Sequence, residues 1–127
     1  MSNARNIASI AGEDVLNASN EIVPVYACRA WVNFDGTTNT AGFCTIRDSG
    51  NVSTVADNGT GDYTVTFVTA MPDANYCVTA STGGNCLGVS GHAPANGHTL
   101  ATGSMRVTCG TPSANFDPSF VHFAVFR

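Results

Sequence analysis

The sequence contains no lysine, and charged residues make up only 11% of its 127 residues. A typical soluble domain has about 25% charged residues. Five arginines are the only strong cations, and the formal net charge is -4 at pH 7. Because nucleic-acid binding needs clustered cations to neutralise phosphates, this balance argues against a nucleic-acid partner. The surface must therefore consist mainly of Thr, Ser, Asn and Gly.

Long apolar segments and a disulfide framework are also missing. No run approaches the roughly 18 apolar residues of a membrane helix, so we expect no membrane insertion. No secretion signal is expected, because acids interrupt the N-terminal apolar stretch at Glu13 and Asp14. The cysteines are odd in number and widely spaced, which favours reduced thiols, mostly buried on inward strand faces. They are Cys28, Cys44, Cys77, Cys86 and Cys109.

Sequence signatures of catalysis are absent as well. The chain has no GxSxG, HExxH, P-loop or GxGxxG motif, and we expect neither enzyme activity nor a cofactor. Asp57 and Asp62 flank a glycine turn, where Asp usually accepts a hydrogen bond from its own backbone. We therefore interpret them as turn residues and not as a pair of glycosidase acids.

Residues 1–24 differ in pattern from the rest. Apolar side chains recur there at spacings of three and four, which places them on one face of a helix. They are Ala4, Ile7, Ala8, Ala11, Val15 and Ala18. Gly12 weakens such a helix by about 1 kcal/mol relative to Ala, and Pro24 ends it. We expect an extended or partly helical segment that orders only against copies of itself or against a docking protein.

From Tyr26 onward the apolar residues alternate with polar ones, which is typical of half-buried strands. Asp35-Gly36 and Asn58-Gly59 are predicted turns. Residues 25–127 are thus predicted to form an all-β domain, an antiparallel β-sandwich of about 7–8 short strands. The last strand, residues 120–126, is apolar on both faces, so we expect both faces to be covered.

Two stretches rich in Gly, Pro, Ser and Asn interrupt this alternation, residues 81–99 and residues 110–119. Cys86, His92 and His98 in the first are six apart, a spacing that matches no zinc module, and we interpret them as loop residues. His122 is predicted to be an ordinary core or interface residue. Three copies of it on a trimer axis would be the alternative, as an ion site.

Several segments, in this order, resemble a known family: "RAWVNFDGT", then "CTIRDSGNVSTVADNGTGDYTVTFVTAMPDANYCVT", and the terminal "VHFAVFR". They are similar to the C-terminal tip domain of bacteriophage tail fiber proteins, including those of cyanophages and marine phages. The similarity covers residues 26–80 and the final strand. The matching positions are Trp31 to Phe34, Ile46 to Ser49, Val52 to Val55, Asp57 to Phe67, Thr69 to Tyr76 and Val125 to Arg127.

The resemblance implies a homotrimeric, β-rich tip of an adhesion fiber, carried on the virion. Residues 1–24 would then be the segment that docks on a tail or baseplate protein, as in a short fiber without a long shaft. Recognition of a host surface glycan would fall to the loops within 81–98 and 110–118. The candidate receptor-binding residues there are Asn85, His92, Asn96, His98, Asn115, Phe116 and Asp117.

Two alternatives from other functional classes remain open at this point. The same domain would serve in a structural baseplate or capsid-decoration protein that binds no receptor. A small carbohydrate-binding module of the host is the other.

Overall fold

Alternation of inward and outward side chains organises the fold. The computed structural model is all-β, and it describes residues 14–16, 22–24, 27–83, 99–111 and 113–127. These ranges contain no helix, and hence none long and apolar enough to cross a membrane.

Eight strands form one antiparallel sheet. They are β3 (Cys28–Thr40), β4 (Phe43–Gly50), β5 (Val52–Gly59), β6 (Asp62–Phe67), β7 (Cys77–Thr82), β8 (Thr99–Leu100), β9 (Ser104–Thr108) and β12 (Val121–Phe126). Their order in the sheet is β7-β12-β3-β4-β5-β6-β9-β8. Two small hairpins complete the set, β1 (Asp14–Leu16) with β2 (Ile22–Pro24), and β10 (Gly110–Thr111) with β11 (Ala114–Asn115).

The sheet curls so that its halves face each other across one core, as in a sandwich or a half-barrel. Phe34 of β3 and Tyr63 of β6 are three strands apart in the sheet, yet their rings meet edge to face with centroids 5.1 Å apart. Phe34 also stacks on Phe123 of β12. Each of these buried rings stabilises the fold by about 1.5–3 kcal/mol relative to exposure. The predicted antiparallel architecture is therefore confirmed.

Most inward positions agree with the alternation in the sequence. The buried side chains include the predicted sets Tyr63, Val65 and Phe67, then Met105, Val107 and Cys109, and then Val121, Phe123 and Val125. On the other face of β12, however, the described residues leave His122 and Phe126 exposed.

The segment "MPDANY" between β6 and β7 closes one end of the core. Met71 and Tyr76 are buried, and the Met71 amide donates to the carbonyl of Thr102 at 2.8 Å. The Tyr76 hydroxyl lies 3.0 Å from the carbonyl oxygen of Ala101. Asp73 pairs with Arg127 through two hydrogen bonds of 3.0 and 2.6 Å. This segment therefore holds the β8–β9 turn and the C-terminal arginine in place.

The predicted turn at Asp35-Gly36 is wrong. Both residues lie inside β3, which continues to Thr40, and the chain reverses at Ala41 and Gly42 with positive φ angles of 54° and 88°. Gly36 is needed for another reason. A Cβ there would collide with the Tyr63 hydroxyl and with the backbone carbonyl of Pro118. Asn58 and Gly59 are the last residues of β5 and the chain reverses at Thr60 and Gly61, so the predicted turn is displaced by two residues, while the positive φ angles expected at Gly59 and Gly61 are confirmed.

The N-terminal segment was predicted to be extended or partly helical, and its described residues are extended, in β1 and β2. Val15, a member of the predicted helical face, lies in β1 and pairs with Val23 of β2. The helical interpretation is therefore wrong for residues 14–16, while residues 1–13 lie outside the described ranges.

The expected burial of the cysteines is half correct. Cys44 and Cys109 are buried, whereas Cys28 and Cys77 are exposed, and all four are free thiols. Cys28 opens β3 next to a register shift in β12, and Cys77 is the first residue of the edge strand β7. Strand ends and sheet edges stay open to solvent, which a two-residue period does not reveal. Cys86 lies outside the described residues.

Candidate receptor-binding surface

The predicted residues Asn115, Phe116 and Asp117 lie at one end of the sheet, which we call the loop end. It is formed by residues 36–43, 57–62 and 109–120. Three backbone hydrogen bonds hold these segments together. Gly36 donates to Pro118 at 2.9 Å, Asp57 donates to Gly42 at 2.9 Å, and Cys109 donates to Gly61 at 2.7 Å.

Asp117 has a structural role at the loop end. Its Oδ1 accepts hydrogen bonds from the Tyr63 hydroxyl at 3.0 Å and from the Gly61 amide at 2.6 Å. Burial raises the pKa of Tyr63, and the nearby charge of Asp117 raises it further, so the phenol keeps its proton and donates. Asp117 therefore braces the loop from within, and this carboxylate oxygen is already engaged.

Asn115 and Phe116 differ in what they present to solvent. Asn115 belongs to β11 and pairs with Gly110, where a Cβ would collide with Ala114 and Asn115. The Phe116 amide donates to the carbonyl of Cys109 at 3.1 Å, while the side chain remains 45% exposed. Phe116 and Asp117 are both exposed, Asn115 is half-buried, and Phe116 is the member of this trio that offers an aromatic ring to a ligand.

The other predicted residues lie outside the described ranges. These are Asn85, His92, Asn96 and His98. The described residues on either side of the segment can be placed. Gly83 donates to the carbonyl of Phe120 at 2.8 Å, so β7 ends at the loop end, and Thr99 pairs with Arg106 of β9. Their part in receptor binding stays a prediction.

Beyond the loops, a group of side chains on the outer face of the sheet was missed in the sequence. We call it the Phe120 patch and define it as Asn33, Asp35, Arg47, Phe120 and His122. The Phe120 and His122 rings are nearly parallel, 6° apart, with centroids separated by 6.4 Å. The Arg47 guanidinium lies 4.3 Å from the centroid of Phe120, within the range of a cation–π contact.

The Phe120 patch has balanced charge. Arg47 Nη2 donates to Oδ2 of Asp35 at 2.9 Å and to the carbonyl of Ser119 at 2.7 Å. The Thr37 hydroxyl and amide, together with the Arg47 charge, lower the pKa of Asp35. Both partners are therefore ionised at neutral pH, and their charges cancel locally.

A concavity of about 290 Å³ adjoins the patch on the side of β7. It is lined by Thr79, Ala80, Ser81, His122, Phe123 and Ala124. Ser81 pairs with His122, and Thr79 pairs with Ala124. Hydroxyl groups and an imidazole thus border a depression whose floor is a small alanine side chain.

Beyond the patch, the outer face carries an apolar group on β3 and β12. Trp31 and Phe126 are exposed, and Ala124 lies between β7 and β3 on the rung occupied by Thr79 and Trp31. The indole of Trp31 covers Gly50, where any Cβ would collide with the ring. The sequence carried a signal for this surface in the second apolar face of residues 120–126, but alternation alone does not say what covers it.

Of the two carboxylates of the β5–β6 hairpin, Asp57 has the predicted turn role, whereas Asp62 lies in β6 and pairs with Arg106 instead. Asp57 Oδ1 accepts from the Gly59 amide at 2.9 Å and so caps the turn. Asp62 is buried and accepts two hydrogen bonds from Arg106, at 2.9 and 2.6 Å, which lower its pKa.

No three His, Cys, Asp or Glu side chains converge on a common point within the described ranges. Comparison with known proteins found no family model, no curated protein and no solved structure that matches this chain.

Proposed function

We propose that this chain is the homotrimeric receptor-binding tip of a short phage tail fiber. It attaches to the tail or baseplate through residues 1–24 and binds a glycan on the host cell surface. The observation that carries the proposal is the ordered set of segments that resembles the tip domain of phage tail fibers. These segments form β3 to β6, the β6–β7 connection and β12, which together make up most of the described sheet.

The pairing of Asp73 with Arg127 supports the view that the resembling segments form one unit. These residues come from two separate segments, "MPDANY" and "VFR", and lie 54 positions apart in the chain. Their bidentate contact locks the C-terminus to the β6–β7 connection. A receptor-binding tip needs such a fixed scaffold, because recognition by loops requires that their ends be held in place.

The exposed apolar part of the outer face supports self-association. Trp31 and Phe126 are 41% and 38% exposed in the single chain. Large apolar side chains grouped on one face often mark a protein–protein contact. In this proposal, the Trp31–Phe126 region contacts another copy of the chain, while the loop end points away from the virion.

The low charge of the surface fits a neutral glycan better than a charged receptor. Such ligands are bound by hydroxyl, amide and aromatic groups, which this chain has in abundance. Three copies on one fiber would raise weak single-site binding by effective concentration, about 10²-fold or more. Reversible single-site affinity in the millimolar range, about 4 kcal/mol, would then suffice.

Light scattering and an adsorption assay test this proposal. The purified full chain should have the mass of three copies at micromolar concentration. Added to host cells in excess, it should compete with the virus for adsorption. A monomeric mass contradicts the trimer. A trimer that neither binds cells nor slows adsorption contradicts the adhesin and favours a structural virion protein.

A further inference from the structure

The outer face of the sheet next to the loop end carries an arrangement that the loops do not account for. Phe120 and His122 present two nearly parallel rings, and Phe120 is 48% exposed. Arg47 supports Phe120 from one side, so the ring is held in position although it is open to solvent. Pre-positioned aromatic rings bind with little loss of conformational freedom.

From this arrangement we infer that the Phe120 patch and the adjoining concavity form a binding site for a neutral sugar ring. The choice of a saccharide follows from three features taken together. Exposed rings stack against the C–H face of a pyranose. Hydroxyl and amide groups of Ser81, Thr79 and Asn33 surround them and both donate and accept hydrogen bonds, as sugar hydroxyls do.

Charge is the third feature. Arg47 is paired with Asp35 and with the carbonyl of Ser119, so the patch presents no net positive charge to a phosphate or carboxylate. An anionic ligand would have to displace Asp35 from the guanidinium. A neutral ligand leaves the ion pair intact, and we therefore expect binding that depends little on salt.

The size of the depression limits the ligand to one ring. A volume of about 290 Å³ lies at the small end of ligand pockets, which span about 300–1,000 Å³. Ala124 on the floor leaves room that a larger side chain would fill. A polysaccharide chain would lie across the open face of the sheet, with one of its sugar units in the depression.

A second copy of the chain is the competing occupant of this face. It fits the apolar region around Trp31 and Phe126 better than the Phe120 patch, where an interface would have to remove water from the ion pair of Arg47 with Asp35. We therefore divide the outer face into a self-association region at Trp31 and Phe126 and a sugar site at Phe120 and His122. The inference rests on the proposed function only for the origin of the sugar, since binding itself is a property of the purified protein.

The test uses the full chain and a panel of neutral pyranosides, namely the methyl glycosides of glucose, galactose, mannose, rhamnose and N-acetylglucosamine. Saturation-transfer NMR identifies a binder, and titration gives its dissociation constant. Phe120→Ala and His122→Ala should each weaken binding about tenfold or more, equal to about 1.4 kcal/mol. Val68→Ala is the control, because Val68 is 70% exposed and follows β6 at the end of the sheet opposite the loop end.

The outcomes are distinct. Binding that survives Phe120→Ala and His122→Ala, or that Val68→Ala weakens equally, would overturn the inference. So would the absence of binding to every pyranoside, or preferential binding of sialic acid or glucose 6-phosphate that salt abolishes. A change in light-scattering mass in the two variants would assign the patch to contact between copies instead. Sugar binding by a protein that does not compete with the virus would uphold the site and contradict only the adhesin role.

Discussion

The hydroxyl of Tyr63 donates to Oδ1 of Asp117 across 3.0 Å, joining the buried strand β6 to a loop that sequence features assign to receptor binding. The same hydroxyl lies 3.2 Å from the carbonyl oxygen of Gly36 on β3. A single phenol thus connects two strands and the loop, and the loop end owes its shape to this contact.

Removing either partner should destabilise the protein. We expect Tyr63→Phe and Asp117→Ala each to lower the free energy of unfolding by about 1–3 kcal/mol, because each removes the hydrogen bond between the phenol and a carboxylate, and Asp117→Ala also leaves the Gly61 amide without its acceptor. The double variant should cost less than the sum of the two, and urea unfolding of all four proteins measures that coupling. Strict additivity would show that the contact contributes nothing.

The pair Asp62–Arg106 should make stability depend on acid pH. Arg106 lowers the pKa of Asp62, so the stabilisation is complete above the ordinary aspartate value near 4 and is lost as the pH falls through the lower, folded value. Arg106 is partly exposed, which reduces the contribution of the ion pair itself. We expect Asp62→Asn to cost about 1–3 kcal/mol at pH 7 and much less near pH 2.

Unfolding curves of wild type and Asp62→Asn between pH 2 and 7 test this dependence. Asp48→Asn, a change at an exposed carboxylate on β4, is the control and should stay within about 0.5 kcal/mol of wild type. A constant difference between wild type and Asp62→Asn over the whole pH range would contradict the assignment.

Thiol reactivity should separate the cysteines into two classes. Burial raises the pKa of Cys44 to about 11, and Cys109 is fully buried, so both should resist iodoacetamide at pH 8 until the protein unfolds. Cys28 and Cys77 both pair with Phe126, so their reaction rate reports whether another copy covers that region. In a trimer we expect them to react more slowly than in unfolded protein.

Peptide mapping measures the reactivity of individual cysteines. Trypsin cuts this chain only after arginines, which places Cys28, Cys44 and Cys109 on separate peptides. Modification of Cys44 in native protein at the rate seen in denaturant would contradict the buried site.

Local sequence rules predicted which strand residues point into the core. They did not predict the positions that are determined by contacts between segments remote in sequence. Tyr63, Val65 and Phe67 alternate because successive side chains on a strand point to opposite faces, a purely local property. Gly36 was wrongly predicted to be a turn residue. Glycine is needed there because a side chain would collide with Tyr63 and Pro118, which are remote in sequence. Nothing within β3 itself signals that approach.

The candidate site likewise combines features that the local sequence predicts with features that depend on tertiary packing. Phe116 and Asp117 lie in a loop as predicted, whereas Asn115 lies in the short strand β11, and the bond of Asp117 to Tyr63 depends on tertiary packing. The Phe120 patch joins β12 to Arg47 of β4 through their shared neighbour β3. Strand order decides which residues become neighbours, and order does not follow from alternation.

Residues 1–24 are the proposed attachment segment, and their removal should separate folding from assembly. A chain beginning at Val25 should fold and trimerise, because the core and the Trp31–Phe126 region are intact. It should fail to join virus particles when it replaces the full chain during infection, as judged by particle composition. Normal incorporation of the shortened chain would contradict the attachment role.

The most direct test of the account is to look for this protein in a three-dimensional reconstruction of the phage particle that the proposal assigns it to. We expect three copies at the distal end of a short fiber, with the loop end outward and residues 1–24 at the tail or baseplate. A position inside the baseplate or on the capsid, with the loop end covered by other virion proteins, would contradict the proposal that this chain binds a receptor.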